Sequence, residues 1–174
     1  MSKHIDTQCI QEGYKPNDGE ARVLPIYQST TYKYDSSETV GELFDLEREG
    51  FFYSRLANPT VDAVEKKIAA LEGGVSALCT SSGQAASMIS ILNICEAGDH
   101  FISSSAIYGG TTNLFSVTLK KLGIEVTYVD PDASEEELQK AINENTKVVF
   151  IETLANPSLV LADIEKFADF AHNN

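Results

Sequence analysis

The distribution of apolar positions divides the chain into an irregular first part and a regular second part. Residues 1–57 show no sustained hydrophobic period, although Glu38–Glu49 could form one short helix, and they contain five of the seven tyrosines. From Asn58 onward, apolar residues recur at helical spacing in some segments and as short continuous runs in others. We therefore expect an N-terminal arm at 1–57, lying over another surface of its own chain or of a partner, followed by a domain at 58–174.

The regular part predicts helices and strands in alternation. Asn58-Pro59 offers an N-cap and a first-turn proline for a helix that Gly73-Gly74 ends, and Ser134 with Glu137 forms a capping box. The predicted strands are 76–80, which is buried, 100–103, 124–129 and 147–152, and the predicted helices after the first are 85–95, 111–122, 134–143 and one around 164–171. This alternation indicates parallel pairing, right-handed crossovers and an α/β layered fold. The pattern leaves open whether the ending after a helix is premature or closes a small domain of four strands.

Charge and cysteine content exclude several classes of function. The formal net charge is −13, from 26 acidic and 13 basic side chains, so neither nucleic acid nor an anionic membrane is an expected partner. No apolar stretch approaches the roughly 20 residues of a membrane span, and no signal-peptide core is present. The three cysteines form no CxxC motif, and Cys79 and Cys95 are expected to be buried. The three histidines are isolated, so we predict no metal site, and we expect a cytoplasmic protein.

One predicted strand-to-helix connection has the features of a phosphate-binding loop. Ser81-Ser82-Gly83-Gln84 precedes an apolar helix, where unpaired N–H groups and a partial positive charge attract anions. Gly83 allows close approach of the backbone, and the serines add hydroxyl donors. A plain capped turn remains the alternative from this motif alone.

Three further stretches are candidates for ligand contact. Arg55, two residues after Tyr53, could bind a phosphate or carboxylate and could reach into another subunit, although a simple surface arginine is the alternative. Tyr108 precedes two glycines and could stack on a flat cofactor or lie in the core. Glu152 ends a predicted strand and Asn156 is held extended by the proline after it, although an ordinary turn explains both residues.

Taken in order, these motifs resemble one family along essentially the whole chain. The most specific pieces are Tyr53-Ser54-Arg55 with Asn58-Pro59-Thr60, Ala69-Ala70-Leu71-Glu72-Gly73-Gly74, Ser81-Ser82-Gly83-Gln84-Ala85-Ala86, Tyr108-Gly109-Gly110-Thr111 and Glu152-Thr153-Leu154-Ala155-Asn156-Pro157. They are similar to the pyridoxal-phosphate enzymes of cysteine and methionine metabolism. The resemblance implies a partial three-layer αβα, aspartate-aminotransferase-like large domain behind an extended arm. Gln84, where many relatives have Met, favours the O-acetylhomoserine sulfhydrylase branch over the methionine γ-lyase and cystathionine γ-synthase branches.

The resemblance also implies a role for each candidate residue. Gly83 and Gln84 would bind the cofactor phosphate through backbone N–H groups, beside the hydroxyl of Ser82. Tyr53 and Arg55 would reach that phosphate from a neighbouring subunit, in a dimer or a dimer of dimers (a homotetramer). Tyr108 would stack on the pyridine ring of pyridoxal 5'-phosphate and assist proton transfer. Glu152 and Asn156 would lie near the same ring. The expected substrates are O-acetylhomoserine and sulfide, which give homocysteine and acetate.

One departure from the family pattern bears on activity. None of the lysines lies in the Ser-x-x-Lys or Ser-x-Thr-Lys stretch that carries the family's cofactor-holding lysine, and the aspartate that pairs with the ring nitrogen is missing. We therefore expect an N-terminal portion of such an enzyme that is inactive alone. A non-catalytic α/β phosphate-binding module and one subunit of a split enzyme remain the alternatives.

Overall fold

The computed structural model describes residues 4–174. This part of the chain divides into two compact units, one extending to Cys79 and the other comprising Thr80–Asn174. Among the described residues, no helix combines the length and apolar character required to cross a lipid bilayer.

The first unit contains three helices, α1 (Ile5–Gln11), α2 (Ser37–Phe44) and α3 (Pro59–Glu72). Helix α3 confirms the predicted boundaries, because Asn58 caps its start, Pro59 occupies the first turn, and Gly73 ends it with φ of 67°. The α2 helix is shorter than the segment expected around it, since it ends at Phe44. The hydrophobic pattern of the sequence did not predict α1, and none of its residues is buried.

A polar network joins the tyrosine-rich segment to the start of α3. The side-chain amide nitrogen of Asn58 donates to the Tyr27 carbonyl oxygen at 3.0 Å. It also lies 3.1 Å from the Tyr32 hydroxyl and 2.9 Å from the Ser54 hydroxyl. The side-chain oxygen of Asn58 accepts the Thr60 N–H at 2.9 Å. Asn58 is 8% exposed, so these bonds satisfy a buried polar group and fix an otherwise irregular segment.

The second unit is built on a parallel sheet, as the alternating pattern predicted. Its strands are β1 (His100–Ser104), β2 (Glu125–Val129) and β3 (Thr146–Phe150), in the spatial order β2-β1-β3, with both outer strands parallel to β1. The register of β1 with β3 shifts between His100 and Phe101. The other elements of this unit are α4 (Gly83–Leu92), α5 (Gly109–Asn113), a π-helical segment (Leu114–Leu119), α6 (Glu135–Ala141) and α7 (Ile164–Asn173).

Helices cover both faces of this sheet, which gives three layers. Alternation along β1 sends Phe101 to one face and Ile102 to the other, where each joins a separate buried cluster. The Phe101 cluster draws on α4 and the π-helical segment, and its rings meet edge to face: Phe115 lies 4.9 Å from Phe101 and 4.9 Å from Phe150 between centroids. The Ile102 cluster draws on α6 and α7 through Leu138, Phe167 and Phe170.

The buried strand predicted at 76–80 is wrong. Those residues form no strand, Leu78 is 71% exposed, and Cys79, expected to be buried, is exposed. A strand requires a neighbour for its backbone groups, and in this segment the Cys79 N–H donates instead to the Glu65 carboxylate at 2.7 Å. The expectation that Cys95 is buried is confirmed, since it is 3% exposed.

The helix predicted at 111–122 begins two residues earlier, and part of it is not an α-helix. It begins at Gly109 as an α-helix and continues from Leu114 to Leu119 as a π-helix. The π-helix has a wider turn than an α-helix, and a side chain of β2 contacts this part of the chain. The Tyr128 hydroxyl donates to the Thr112 carbonyl at 3.2 Å and lies 2.8 Å from the Ser116 hydroxyl. Gly123, with φ of 80°, follows the end of this helical stretch.

Candidate functional site

The candidate residues of the second unit gather at the carboxyl ends of its parallel strands. Tyr108 follows β1 and Glu152 follows β3, so their loops leave the sheet at the same edge. In open α/β sheets this edge is where ligands bind. The structure thus brings together two motifs that the sequence holds 44 residues apart.

The first two backbone N–H groups of helix α4 have no acceptor among the described residues. The hydroxyl of Ser82, the N-cap residue, accepts the Ala85 N–H at 3.1 Å, and the Ser82 carbonyl accepts the Ala86 N–H at 3.0 Å. Within residues 4–174, neither of these capping bonds nor any other reaches the N–H groups of Gly83 and Gln84. Gly83 is exposed, and a Cβ placed on it would meet nothing within 4 Å. An anion can therefore approach both donors at the positive end of this helix.

The side chains of Gln84 and Tyr108 meet around Gly110. The amide nitrogen of Gln84 lies 3.4 Å from the Thr111 hydroxyl, which connects the start of α4 to the start of α5. A Cβ built on Gly110 would collide with Cε1 of Tyr108 and would lie 2.8 Å from the Gln84 amide nitrogen. Gly110 thus leaves room for both the tyrosine ring and the amide.

Tyr108 presents its ring to solvent while its backbone is fixed. The residue is 48% exposed, which excludes the alternative of a core tyrosine. Its N–H donates to Oε1 of Glu152 at 2.9 Å, and its carbonyl accepts the N–H groups of Thr111 at 2.9 Å and Thr112 at 3.0 Å. An open aromatic face on a fixed backbone is suited to stacking on a flat ligand.

Asn156 lies in a loop that follows Glu152. The loop is closed by an antiparallel bridge between Leu154 and Leu161, and the Ala155 N–H donates to the Val160 carbonyl at 2.9 Å. Asn156 is exposed and precedes Pro157 through a cis peptide bond. Among the described residues its amide makes no hydrogen bond to Tyr108, Glu152 or Gln84, so the structure does not join it to them.

Tyr53 and Arg55 belong to the first unit. The Arg55 guanidinium carbon lies 5.2 Å from the centroid of the Tyr53 ring, in a cation–π arrangement. Tyr53 also forms an isolated bridge with Thr31. Arg55 is exposed, and within residues 4–174 no carboxylate pairs with it, so its donors are free to meet an anion.

Sequence reasoning missed the hydroxyls that support this arrangement. Thr111 is 4% exposed, receives the Gln84 amide and donates its N–H to the Tyr108 carbonyl. Thr112 adds a hydroxyl contact to the same carbonyl at 3.4 Å. The Thr-Thr pair directly after Gly110 was a visible signal, because threonines at the start of a helix commonly bond to nearby backbone.

The opposite edge of the sheet contains a buried histidine. His100 is 4% exposed, and its two ring nitrogens lie 2.8 Å from the Thr146 hydroxyl and 2.8 Å from the Thr127 hydroxyl. Burial lowers the pKa of His100, and the nearby Glu125 carboxylate partly opposes that change. This histidine therefore links the three strands through side-chain contacts. The part of the chain that the structure describes contains no group of three His, Cys, Asp or Glu residues suited to a metal ion.

Comparison with known proteins gives a consistent match. The family model described as Cys/Met metabolism PLP-dependent enzyme matches residues 6–174. An O-acetyl-L-homoserine sulfhydrylase from Corynebacterium glutamicum is 51% identical over 98% of this chain and 39% of its own length. An L-methionine gamma-lyase from Fusobacterium nucleatum subsp. polymorphum is 41% identical over 98% of this chain and 43% of its own length. The chain thus spans about two fifths of the curated relatives it matches.

The fold matches as well. A crystal structure assigned to an O-acetylhomoserine (thiol)-lyase from Campylobacter jejuni, containing pyridoxyl-lysine monophosphate, superposes with a TM-score of 0.87 at 37% identity. That match covers 98% of this chain and 42% of the solved chain. The predicted resemblance and fold class are confirmed by these findings. This chain therefore belongs to the Cys/Met metabolism family of pyridoxal-phosphate-dependent enzymes.

Proposed function

We propose that this chain supplies the phosphate-binding and ring-stacking part of an O-acetylhomoserine sulfhydrylase. The complete reaction replaces the acetate of O-acetylhomoserine with sulfide and gives homocysteine and acetate. The observation that carries the proposal is the pair of unpaired N–H groups at Gly83 and Gln84, beside the exposed ring of Tyr108. The identity to the sulfhydrylase relative supports the choice of reaction.

The residues present fit pyridoxal 5'-phosphate. Its phosphate would accept the N–H groups of Gly83 and Gln84, and the Ser82 hydroxyl retains its hydrogen for the same anion, because that oxygen only accepts from Ala85. Its ring would lie against Tyr108, and Glu152 and Asn156, two polar residues of the loop after β3, would lie near that ring. When bound, this cofactor withdraws electrons from the substrate amino acid.

The remaining roles belong to side chains of this sequence. The Tyr108 hydroxyl would accept or return a proton beside the bound cofactor. Tyr53 and Arg55 would contribute a hydroxyl and a guanidinium to the phosphate of a neighbouring copy, since the Arg55 charge is unpaired among the described residues. The arm at 1–57 would then contact that copy in a cytoplasmic homo-oligomer, a dimer or a dimer of dimers.

A fusion tests the proposal. The chain would replace the matched region of the Corynebacterium glutamicum relative, and homocysteine formation and visible cofactor absorbance would be measured in the fusion and in the chain alone. We expect both signals in the fusion and neither in the chain alone. A cofactor band from the chain alone, or faster cleavage of methionine than synthesis of homocysteine by the fusion, would contradict the proposal.

Two variants at one position isolate the phosphate contact. Gly83→Pro deletes one N–H, and proline is favoured at a first helical position that follows an extended residue such as Ser82 (φ −164°, ψ 161°). Gly83→Ala also stiffens the chain but keeps the donor. A charge-assisted hydrogen bond contributes about 1.5–3 kcal/mol, so Gly83→Pro should weaken cofactor binding about 10- to 100-fold relative to Gly83→Ala. Equal affinities in the two variants would remove Gly83 from the phosphate site.

A further inference from the structure

Helix α5 begins without the side-chain cap that most other helices of this protein possess. Tyr108 is its N-cap residue, and the tyrosine side chain accepts no N–H from the first turn. In the capping box at the start of α6, the third helical residue, Glu137, reaches back and accepts the Ser134 N–H at 2.8 Å. The third residue of α5 is Thr111, whose hydroxyl instead lies 3.4 Å from the Gln84 amide.

Glu152, in the loop after β3, supplies one of the two bonds of a capping box, the bond to the N–H of the N-cap residue. Its Oε1 accepts the Tyr108 N–H at 2.9 Å across 44 residues of sequence. Glu152 is half-buried, and no basic side chain of residues 4–174 forms an ion pair with it. The carboxylate is therefore engaged in the structure by the backbone of Tyr108.

The other side of the Tyr108 backbone is equally restrained. Its carbonyl accepts the N–H groups of Thr111 and Thr112 at 2.9 Å and 3.0 Å, and the Thr112 carbonyl in turn accepts the Tyr128 hydroxyl at 3.2 Å. Within the described part of the chain, the Tyr108 N–H bonds to Glu152 alone. Removing the Glu152 carboxylate would free the Tyr108 N–H and leave the bonds to the Tyr108 carbonyl in place.

We propose that Glu152 is a positioning residue: by accepting the Tyr108 N–H it closes the long-range half of a capping box, and so fixes where the aromatic ring stands at the ligand-binding edge. Glu152 acts through the tyrosine backbone and not through its charge on the cofactor. The inference deepens the proposed function, since it rests on Tyr108 stacking against pyridoxal 5'-phosphate.

Amide hydrogen exchange measured by NMR on the chain without cofactor tests the capping box directly. Glu152→Leu should raise the exchange rate of the Tyr108 amide on the order of tenfold, because one charge-assisted bond is lost. Glu152→Gln keeps an acceptor oxygen and should preserve the protection. Glu137→Leu is the matched control, since it removes the same kind of bond from Ser134 and should leave the Tyr108 amide unchanged. An unchanged Tyr108 rate in Glu152→Leu would overturn the inference.

Cofactor titration of the fusion separates positioning from direct binding. Glu152→Leu should weaken pyridoxal 5'-phosphate binding several-fold, and Glu152→Gln should restore it. If Glu152→Gln protects the amide but binds cofactor as poorly as Glu152→Leu, the carboxylate charge acts directly and the inference is wrong. If Tyr108→Ala leaves cofactor affinity unchanged, the stacking role in the proposed function fails, whereas the exchange experiment still decides the capping box.

Discussion

Replacing Gly110 with alanine should separate cofactor affinity from stability. The new Cβ would collide with the Tyr108 ring and lie 2.8 Å from the Gln84 amide nitrogen. Both obstructing groups are ends of side chains, and Tyr108 is 48% exposed, so the ring can turn outward. The folded state thereby avoids the roughly 1–3 kcal/mol that overpacking costs in a closed core. Alanine also favours a helix by up to about 1 kcal/mol relative to glycine.

The displaced ring should lose its contact with the cofactor. An aromatic stack is worth about 0.5–1.5 kcal/mol, which corresponds to a roughly two- to tenfold loss of cofactor affinity. The assay pairs thermal unfolding of the chain with cofactor titration of the fusion. Tm should stay constant or rise by up to about 2–4 °C, the shift expected for 1 kcal/mol in a chain of this size.

Gly109→Ala is the matched control for this experiment. A Cβ on Gly109 meets nothing within 4 Å, so this neighbouring substitution should leave cofactor affinity unchanged. The reasoning would be refuted if Gly110→Ala bound cofactor as tightly as Gly109→Ala. It would also be refuted if Gly110→Ala lowered Tm by several degrees, because the ring would then be locked rather than free to turn.

Substitutions at three further buried sites test the fold. Asn58→Ala should cost about 1–3 kcal/mol in urea unfolding, since it removes a helix cap and a buried amide donor, and Asn58→Asp, which keeps the cap oxygen but sets an acceptor against the Tyr27 carbonyl, should not restore the lost stability. Burial holds the pKa of His100 below 6.5, so the unfolded chain binds a proton first. Stability should therefore fall as pH drops below 6.5 and level off below the folded pKa, and His100→Gln should flatten that dependence; an unchanged slope would refute it. Phe115→Ala should cost about 3–5 kcal/mol, whereas Phe44→Ala, at a site 63% exposed, should cost much less.

Local signals in the sequence predicted local structure accurately. The ends of α3 follow from Asn58, Pro59 and Gly73, and the start of α6 follows from Ser134 and Glu137, because each signal acts within one helical turn. The alternation of helices and strands also predicted the parallel sheet. The segment 76–80 shows the limit of the same reasoning. An apolar run identifies a strand only when a neighbour pairs with it, and its composition carries no information about that neighbour.

The candidate site was predicted as a set of separate motifs, and its internal contacts were not. That Gly83 lies close to the start of a helix, expected from residue 85, and that Tyr108 follows a strand could be inferred from nearby residues. The bond from the Tyr108 N–H to Glu152 spans 44 residues and depends on how β1 and β3 pair, which no local pattern encodes. The π-helical segment at Leu114–Leu119 was also invisible in the sequence, because its apolar spacing is that of an ordinary amphipathic helix.

The imidazole of His100 has a mechanical consequence for the second unit. By contacting Thr127 and Thr146 at 2.8 Å each, it adds a side-chain tie between the central strand and both outer strands, at the end remote from Tyr108 and Glu152. These contacts restrain the separation of the three strands most strongly near the amino end of the sheet. We therefore expect the carboxyl end of the sheet, from which the loops of Tyr108 and Glu152 leave, to be the more deformable end.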